Sequence, residues 1–142
     1  MVQGIIMQNK YHQTLQNAGI RPSLQRIAIY AYMCEHPVHP DVETVYDDLY
    51  PIYPTLSKTT VYNTLKLFEE NKIVRSIKIE DDKLRFDADM SEHVHFKCTK
   101  CGKIFDIPMN QDLEGYSLPK GFETSKIQLN LWGLCPDCSQ KK

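Results

Sequence analysis

The chain has 142 residues, a hydrophobic fraction of 42% and a formal net charge of −1, enough for one ordinary domain or two small ones with a packed core. The net charge is near neutral, which excludes a protein that is strongly basic overall, as many nucleic-acid-binding proteins are. If this chain binds nucleic acid, it must do so through a local surface. Because no stretch has the length and apolarity of a secretory or transmembrane segment, we expect a cytoplasmic protein without membrane contact, where paired cysteines are more often metal ligands than disulfides.

The first 35 residues predict two helices. The segment Tyr11–Ala18 has apolar residues at helical spacing and ends at Gly19. Ser23 is placed to cap a second helix that runs to about Cys34, a thiol that we expect to be buried and unreactive. The apolar stripe of this second helix consists of Leu24, Ile27, Ala28 and Ala31.

Two proline-containing connectors surround the next helix. His36–Pro40 is rigid because proline fixes φ and disfavours helix at the residue before it, and Pro40 suits the first helical position. The second connector, Tyr50–Leu56, predicts a turn. Between them a buried helical face is formed by Val42, Val45, Tyr46 and Leu49.

A further helix, Lys58 to about Asn71 with Ser57 as its cap, has two opposed faces. The apolar face contains Val61, Leu65 and Phe68. The polar face contains Thr59, Tyr62, Asn63 and Lys66. A buried back and a front of hydroxyl, phenol, amide and ammonium groups suit the major groove of DNA, although a merely solvated helix has the same pattern.

Two β-rich segments, Ile73–Ile79 and Leu84–Phe86, follow with a charged turn between them and predict a hairpin. Helices followed by a two-stranded hairpin are the order of a winged-helix DNA-binding domain, which we assign to residues 1–88. The alternative is a small helical domain whose last helix is only solvated.

After Asp89 the pattern changes to short strands. Two are predicted on either side of Cys98, and a third at Lys126–Leu131, where apolar and polar residues alternate. We therefore assign residues 89–142 to a small α/β domain, and the whole chain to the α+β class.

Two C-x-x-C pairs, Cys98 with Cys101 and Cys135 with Cys138, lie in this second domain. Four thiolates close a tetrahedral site that zinc prefers, and they leave no open position for a substrate. The pairs therefore predict a structural Zn²⁺ site; a disulfide or a redox switch is the alternative.

His93 and His95 are separated by one residue, so that on a strand both imidazoles lie on one face. Such a pair can bind a metal ion, and nearby carboxylates would make the donor set one of nitrogen and oxygen atoms. That set suits Fe²⁺ or Mn²⁺ better than four thiolates do, although Zn²⁺ would also bind.

From about Gly19 to Cys138, the chain resembles the Fur family of bacterial metal-dependent repressors. The resemblance rests on four features in this order and spacing, namely Arg21–Arg26, Thr60–Leu65, His93–His95 and the two C-x-x-C pairs. Within the family the chain is most similar to the peroxide-sensing PerR branch. Asp106 supports this, because the iron-uptake branch usually carries glutamate there.

The resemblance implies a set of regulatory metal ligands. Matched motif by motif, they are His39, Asp87, His93, His95 and Asp106. Taken alone, His39 beside a proline is more often a cap or surface histidine, and Asp106 on a strand could simply be solvated. No histidine follows His95 directly, which disfavours a further metal site seen in some relatives.

The resemblance also implies a homodimer, paired through the C-terminal sheet, that represses transcription on palindromic double-stranded operator DNA. Thr59, Tyr62 and Asn63 would meet bases. The remaining expected DNA-binding residues are Arg26, Ser57, Lys58, Thr60 and Lys66. With Fe²⁺ in the regulatory site, peroxide would oxidise His39 and His93, and repression would end.

Three alternatives stay open. An iron-uptake or zinc-uptake repressor would respond to metal concentration itself. An enzyme could use two histidines and a carboxylate to hold iron, but five protein ligands leave little room for a substrate, so we expect no enzyme and no small molecule besides metal and peroxide. A zinc-ribbon interaction module would not contact DNA.

Overall fold

The structure is a computed structural model that describes residues 2–80, 82–91, 93–108, 118–125 and 127–140. It divides the chain into two compact units, Met1–Met90 and Ser91–Lys142, here the N-terminal and C-terminal units. Among the described residues, no helix combines the length and apolarity needed to cross a membrane.

The N-terminal unit contains four helices followed by a hairpin, and the winged-helix prediction is confirmed. The elements are α1 Val2–Asn17, α2 Leu24–Glu35, α3 Val42–Leu49, α4 Lys58–Glu70, β1 Arg75–Ile77 and β2 Arg85–Asp87. The first helix begins well before the predicted start at Tyr11, because the apolar spacing marks where the helix packs and not where its backbone begins.

Side-chain caps fix where three helices start. The hydroxyl of Ser23 accepts from the N–H of Arg26 at 3.2 Å, and that of Ser57 accepts from the N–H of Thr60 at 3.1 Å. The third cap differs from prediction: Asp41, not Pro40, begins α3 by accepting from the N–H of Thr44. Each cap contributes about 1 kcal/mol to helix stability.

The apolar faces of the four helices meet the hairpin in one core. Its fully buried members are Leu15, Ile29, Met33, Val45, Val61, Leu65, Phe68, Val74 and Phe86. The rings of Tyr30 and Phe68 pack edge to face with their centroids 5.6 Å apart. Burial of one face of α4 leaves its opposite face in solvent.

Cys34 does not belong to this core. It is exposed in the last turn of α2, beside the equally exposed Glu35, so the predicted buried thiol is wrong. Partial desolvation nevertheless raises the pKa of Cys34 above its ordinary value. The thiol therefore stays protonated near neutral pH and is not an activated nucleophile.

The hairpin strands pair antiparallel, with Arg75 opposite Asp87 and Ile77 opposite Arg85. The connector before α3 lies along the other side of β2. There the N–H of Phe86 donates to the carbonyl of Pro40 at 3.0 Å, and Asp41 forms an isolated bridge with Arg85. One strand thus positions both Asp87 and the segment that contains His39.

The C-terminal unit is a three-stranded sheet with a short final helix. Its elements are β3 His93–Cys98, β4 Ile104–Pro108, β5 Asn130–Gly133 and α5 Pro136–Gln140. The strand order is β4-β3-β5; β3 pairs antiparallel with β4 and parallel with β5.

The third strand begins four residues later than predicted, at Asn130, and Lys126 lies outside the described residues. Ile127, Leu129 and Leu131, whose alternation suggested the strand, are all exposed. Their pattern therefore does not mark the buried face of this sheet, and β5 is positioned by its pairing with β3.

Candidate metal centres and nucleic-acid interface

The four paired cysteines come together at one end of the C-terminal sheet. Cys98 ends β3, Cys101 follows in the turn, and Cys135 and Cys138 lie at the start of α5 and within it. One sulfur from each lies within 4.8 Å of the others, and the sulfurs of Cys101 and Cys135 are 3.9 Å apart. Sulfur contacts of this kind suit a single tetrahedral ion.

The acidity of these thiols shows why the cluster needs a cation. The N–H groups of Cys101 and then Cys135 point at Cys98 and lower its pKa to about 5, whereas burial and the neighbouring sulfurs raise the pKa of Cys138 to about 12. Four thiolates so close together repel one another. A divalent cation removes that repulsion, and the donor set therefore fits zinc.

A second group of candidate ligands lies on one face of β3 and β4. His95 stands directly opposite Asp106 in the antiparallel register, and His93 lies two residues earlier on the same face. The Nε2 atoms of the two histidines are 2.9 Å apart, and Asp106 Oδ1 lies 3.4 Å from His93 Nε2 and 3.7 Å from His95 Nε2.

The geometry of these rings fits a metal ion. His93 Nδ1 is 2.9 Å from the carbonyl oxygen of Ser91, so a proton on Nδ1 is donated there and leaves the lone pair on Nε2. Both histidines are buried. Two lone pairs cannot face each other at this distance without a shared proton or a cation, and Asp106 adds a negative charge beside them.

The N-terminal unit holds two of the expected ligands side by side. His39 and Asp87 are each only 3% exposed, and His39 Nε2 lies 3.5 Å from Asp87 Oδ2. The other carboxylate oxygen of Asp87 accepts from the N–H of Asp89 at 2.9 Å, which orients the carboxylate. The expected set of five thus forms a pair in one unit and a triad in the other.

His39 has an unusual backbone. Its φ of 59° lies in the left-handed region, which costs a non-glycine residue about 1–2 kcal/mol. The side chain of Arg85 contacts it there: Nη1 donates to the His39 carbonyl at 3.0 Å, and Nε forms an ion pair with the carboxylate of Glu80. Sequence patterns did not indicate Arg85 or Glu80, because neither contact has a local spacing signature.

The exposed face of α4 carries the polar residues expected at DNA. Thr59, Tyr62 and Asn63 are exposed, whereas Val61 and Leu65 on the opposite face are fully buried. Helix α4 therefore has the buried back and polar front that its sequence predicts. Groups of this kind can donate to and accept from base edges.

Two of the lysines expected to contact DNA phosphates form ion pairs with acidic residues of the protein itself. Lys58 Nζ lies 2.9 Å from the carboxylate of Glu43, and Lys66 Nζ lies 3.2 Å from that of Glu69. The Lys58 pair is exposed and the Lys66 pair is about one-third exposed, so solvent screens both pairs and they contribute little to stability. A DNA phosphate can therefore replace either acid.

A polar groove of about 240 Å³ lies between α2 and α4. It is lined by Ser23, Gln25, Arg26, Thr60, Asn63, Thr64 and Leu67. Arg26 is held in place because its Nη1 donates to the carbonyl of Arg21 at 2.8 Å. The hydroxyl of Ser57 serves as the α4 cap and also contacts Thr60 Oγ1 at 2.9 Å.

Known proteins resemble this chain in both sequence and fold. Residues 17–132 match the model of the ferric uptake regulator family. The peroxide operon regulator of Bacillus subtilis (strain 168) is 35% identical over 133 residues, which cover 92% of each chain. The PerR structure from Streptococcus pyogenes is 32% identical, with a TM-score of 0.51 and coverage of 89% of this chain and 88% of that one.

A more distant structure agrees in fold. The ferric uptake regulator of Helicobacter pylori has a TM-score of 0.70 over 98% of this chain and 94% of its own, at 17% identity. With a family model that spans most of the sequence and a relative above 30% identity across nearly its full length, the chain belongs to the ferric uptake regulator family of metal-dependent repressors.

Proposed function

We propose that this protein is a homodimeric repressor that binds palindromic operator DNA when its regulatory metal site is filled, and that it detects peroxide through Fe²⁺ in that site. The observation that carries the proposal is the pair of preassembled ligand sets, His39 with Asp87 in the N-terminal unit and His93, His95 and Asp106 in the C-terminal unit. The similarity to peroxide-responsive repressors supports the peroxide assignment.

The two candidate metal centres have different roles in this proposal. The cysteine cluster would hold a structural Zn²⁺ that joins α5 to the turn after β3, because four thiolates leave no open position. The histidine and aspartate ligands are harder donors that suit Fe²⁺ or Mn²⁺. We propose that one such ion takes ligands from both sets.

An ion shared in this way would couple metal binding to DNA binding. It would favour those arrangements of the two units in which all five ligands reach it, and its differential affinity would set the population of the DNA-binding form. Each set is ordered within its own unit, so that metal binding does not have to assemble either set.

Helix α4 would be the recognition helix. Thr59, Tyr62 and Asn63 would contact base edges, while Arg26, Lys58 and Lys66 would contact phosphates or an adjacent minor groove. Ser57 and Thr60, at the helix N-terminus, would lie close to the phosphate backbone, where free N–H groups favour an anion. These local groups supply the attraction that the overall charge lacks.

Edge strand β5 supports the homodimer. It lies at the end of the sheet, and large apolar side chains on it and beside it are exposed. They are Ile127, Leu129, Leu131, Trp132 and Leu134. An exposed apolar edge favours association, and a second copy of the chain would cover it.

Peroxide sensing would take place on the ligands. Bound Fe²⁺ would supply the electron-transfer chemistry that activates hydrogen peroxide. In the net reaction hydrogen peroxide would give one oxygen atom to an imidazole carbon of His39 or His93, and its other oxygen would leave as water. The C–H would become a carbonyl as its hydrogen moves to a ring nitrogen, and two electrons would pass from the ring to peroxide. The oxidised ring is a poor ligand, and the site loses its metal. With every donor used for binding, we propose regulation and not turnover of a substrate.

Replacing Cys138 by Ser should remove the zinc. We expect zinc to fall from about one ion per chain to near zero and the C-terminal unit to melt at a much lower temperature, because structural zinc sites contribute on the order of 10 kcal/mol. Elemental analysis and thermal unfolding measure both effects. Cys34→Ser is the matched control and should keep its zinc; full zinc content in the Cys138 variant would contradict the assignment.

Replacing Asn63 by Ala should weaken DNA binding without affecting the fold. A lost bidentate base contact corresponds to about 1–3 kcal/mol, or roughly 5- to 150-fold in affinity. The probe is a palindromic operator selected from random DNA by the Mn²⁺-loaded wild-type protein. Gln13→Ala, which changes an exposed polar residue on α1, should bind normally; equal affinity of both variants would show that Asn63 does not read a base.

Replacing His39 by Ala should abolish metal-dependent DNA binding and leave zinc unchanged. Loss of one regulatory ligand should lower Mn²⁺-dependent operator affinity by at least about tenfold. The control is His36→Ala, three residues earlier and exposed. Gel shifts at several Mn²⁺ concentrations compare them, and wild-type affinity in the His39 variant would disprove the coupling.

A further inference from the structure

We propose that Arg85 is a positioning residue for the regulatory metal: its guanidinium holds the backbone of His39 in the conformation that places the imidazole beside Asp87. This inference rests on the proposed metal site. It assigns to Arg85 a role that acts through His39 and not by contact with the ion.

The guanidinium has two partners in the N-terminal unit. Nη1 donates to the His39 carbonyl at 3.0 Å, and Nε is paired with the carboxylate of Glu80. The side chains of Arg85 and Glu80 are only 21% and 10% exposed. An arginine oriented by an acid in a largely buried position makes a stronger and better-directed hydrogen bond than one in solvent.

His39 needs such a contact because its conformation is unfavourable. Its φ of 59° is rarely adopted by residues other than glycine. The following proline further restricts the backbone of His39. Without the hydrogen bond from Arg85, His39 can relax to a negative φ. Such a change redirects its imidazole away from Asp87, now 3.5 Å away.

Strand β2 carries Arg85 and Asp87 and is hydrogen-bonded to the segment that contains His39. Arg85 and Asp87 are two residues apart, so their side chains leave the same face of the strand, while Phe86 between them is fully buried in the core. The N–H of Phe86 also donates to the carbonyl of Pro40. Consecutive carbonyls of the connector are thus bound by consecutive residues of β2.

Electrostatics alone would give Arg85 the opposite effect. A positive guanidinium near a cation site disfavours the cation, so its removal would strengthen metal binding if charge were the only factor. Positioning predicts that removal weakens binding. The sign of the change in metal affinity therefore separates the two roles.

The test uses zinc-containing full-length protein titrated with Co²⁺, whose visible absorption reports the ligand set. Arg85→Gln should lower Co²⁺ affinity by about 10- to 100-fold, the range for residues that orient a metal ligand. Lys83→Ala is the matched control, because it also removes one positive charge nearby but from an exposed side chain. Its Co²⁺ affinity and spectrum should match those of the wild type.

A double-mutant cycle then asks whether Arg85 acts through His39. In the His39→Ala background, Arg85→Gln should cause little further loss, because the ligand that it positions is gone. An equal loss in both backgrounds, unchanged affinity, or tighter Co²⁺ binding by Arg85→Gln would each overturn the proposal.

Two further variants separate a failure of the positioning role from unfolding and from a failure of the proposed metal site. If Arg85→Gln loses zinc or unfolds, Glu80→Gln replaces it in the same cycle; a smaller loss that depends on His39 is expected, and a loss independent of His39 overturns the inference. If His39→Ala binds Co²⁺ like the wild type, the metal site itself is wrong. If His39→Ala lowers Co²⁺ affinity as expected, but Arg85→Gln lowers it further by its full amount in that background, only the positioning role is refuted.

Discussion

The C-terminal unit depends on the four sulfur atoms that lie together at one end of its sheet. Among the described residues its small buried cluster is formed by Cys98, Cys135 and Cys138, with Phe105 packed against them. With so few apolar groups buried among the described residues of this unit, a metal or a partner would contribute much of its stability. Zinc in this cluster would order the turn after β3, and with it the strand that carries His93 and His95.

That strand connects stability to sensing. One end of β3 is Cys98 of the cysteine cluster and the other carries His93 and His95, so one six-residue strand connects the two candidate metal centres of this unit. In the N-terminal unit β2 has a comparable place, between the core that supports α4 and the pair formed by His39 and Asp87. Each candidate ligand set thus has at least one member on a regular strand, Asp87 on β2 and the two histidines on β3, which suits a site whose geometry has to be well defined.

Local patterns predicted much of this molecule. The two faces of α4, the caps at Ser23 and Ser57, and the C-x-x-C pairs follow from spacing that covers a few residues. The resemblance extended these to the fold, and the five regulatory ligands that it implies stay a prediction. Other features depend on contacts between distant segments. The start of β5 at Asn130 follows from its pairing with β3, and the left-handed backbone of His39 and its contact with Arg85 join residues 46 positions apart. Cys34 was expected to be buried because it follows the apolar stripe of α2, but the core ends before it and the thiol is exposed.

The most direct test of a peroxide-responsive repressor is the chemistry of its ligand histidines. Zinc-containing protein is loaded with Fe²⁺ without oxygen, treated with a slight excess of hydrogen peroxide and analysed by peptide mass spectrometry, with Mn²⁺-loaded protein in parallel. We expect one added oxygen on His39 or His93 with iron only, together with loss of operator binding. Unmodified histidines, with operator binding that simply follows metal concentration, would contradict the account and indicate a metal-uptake regulator instead.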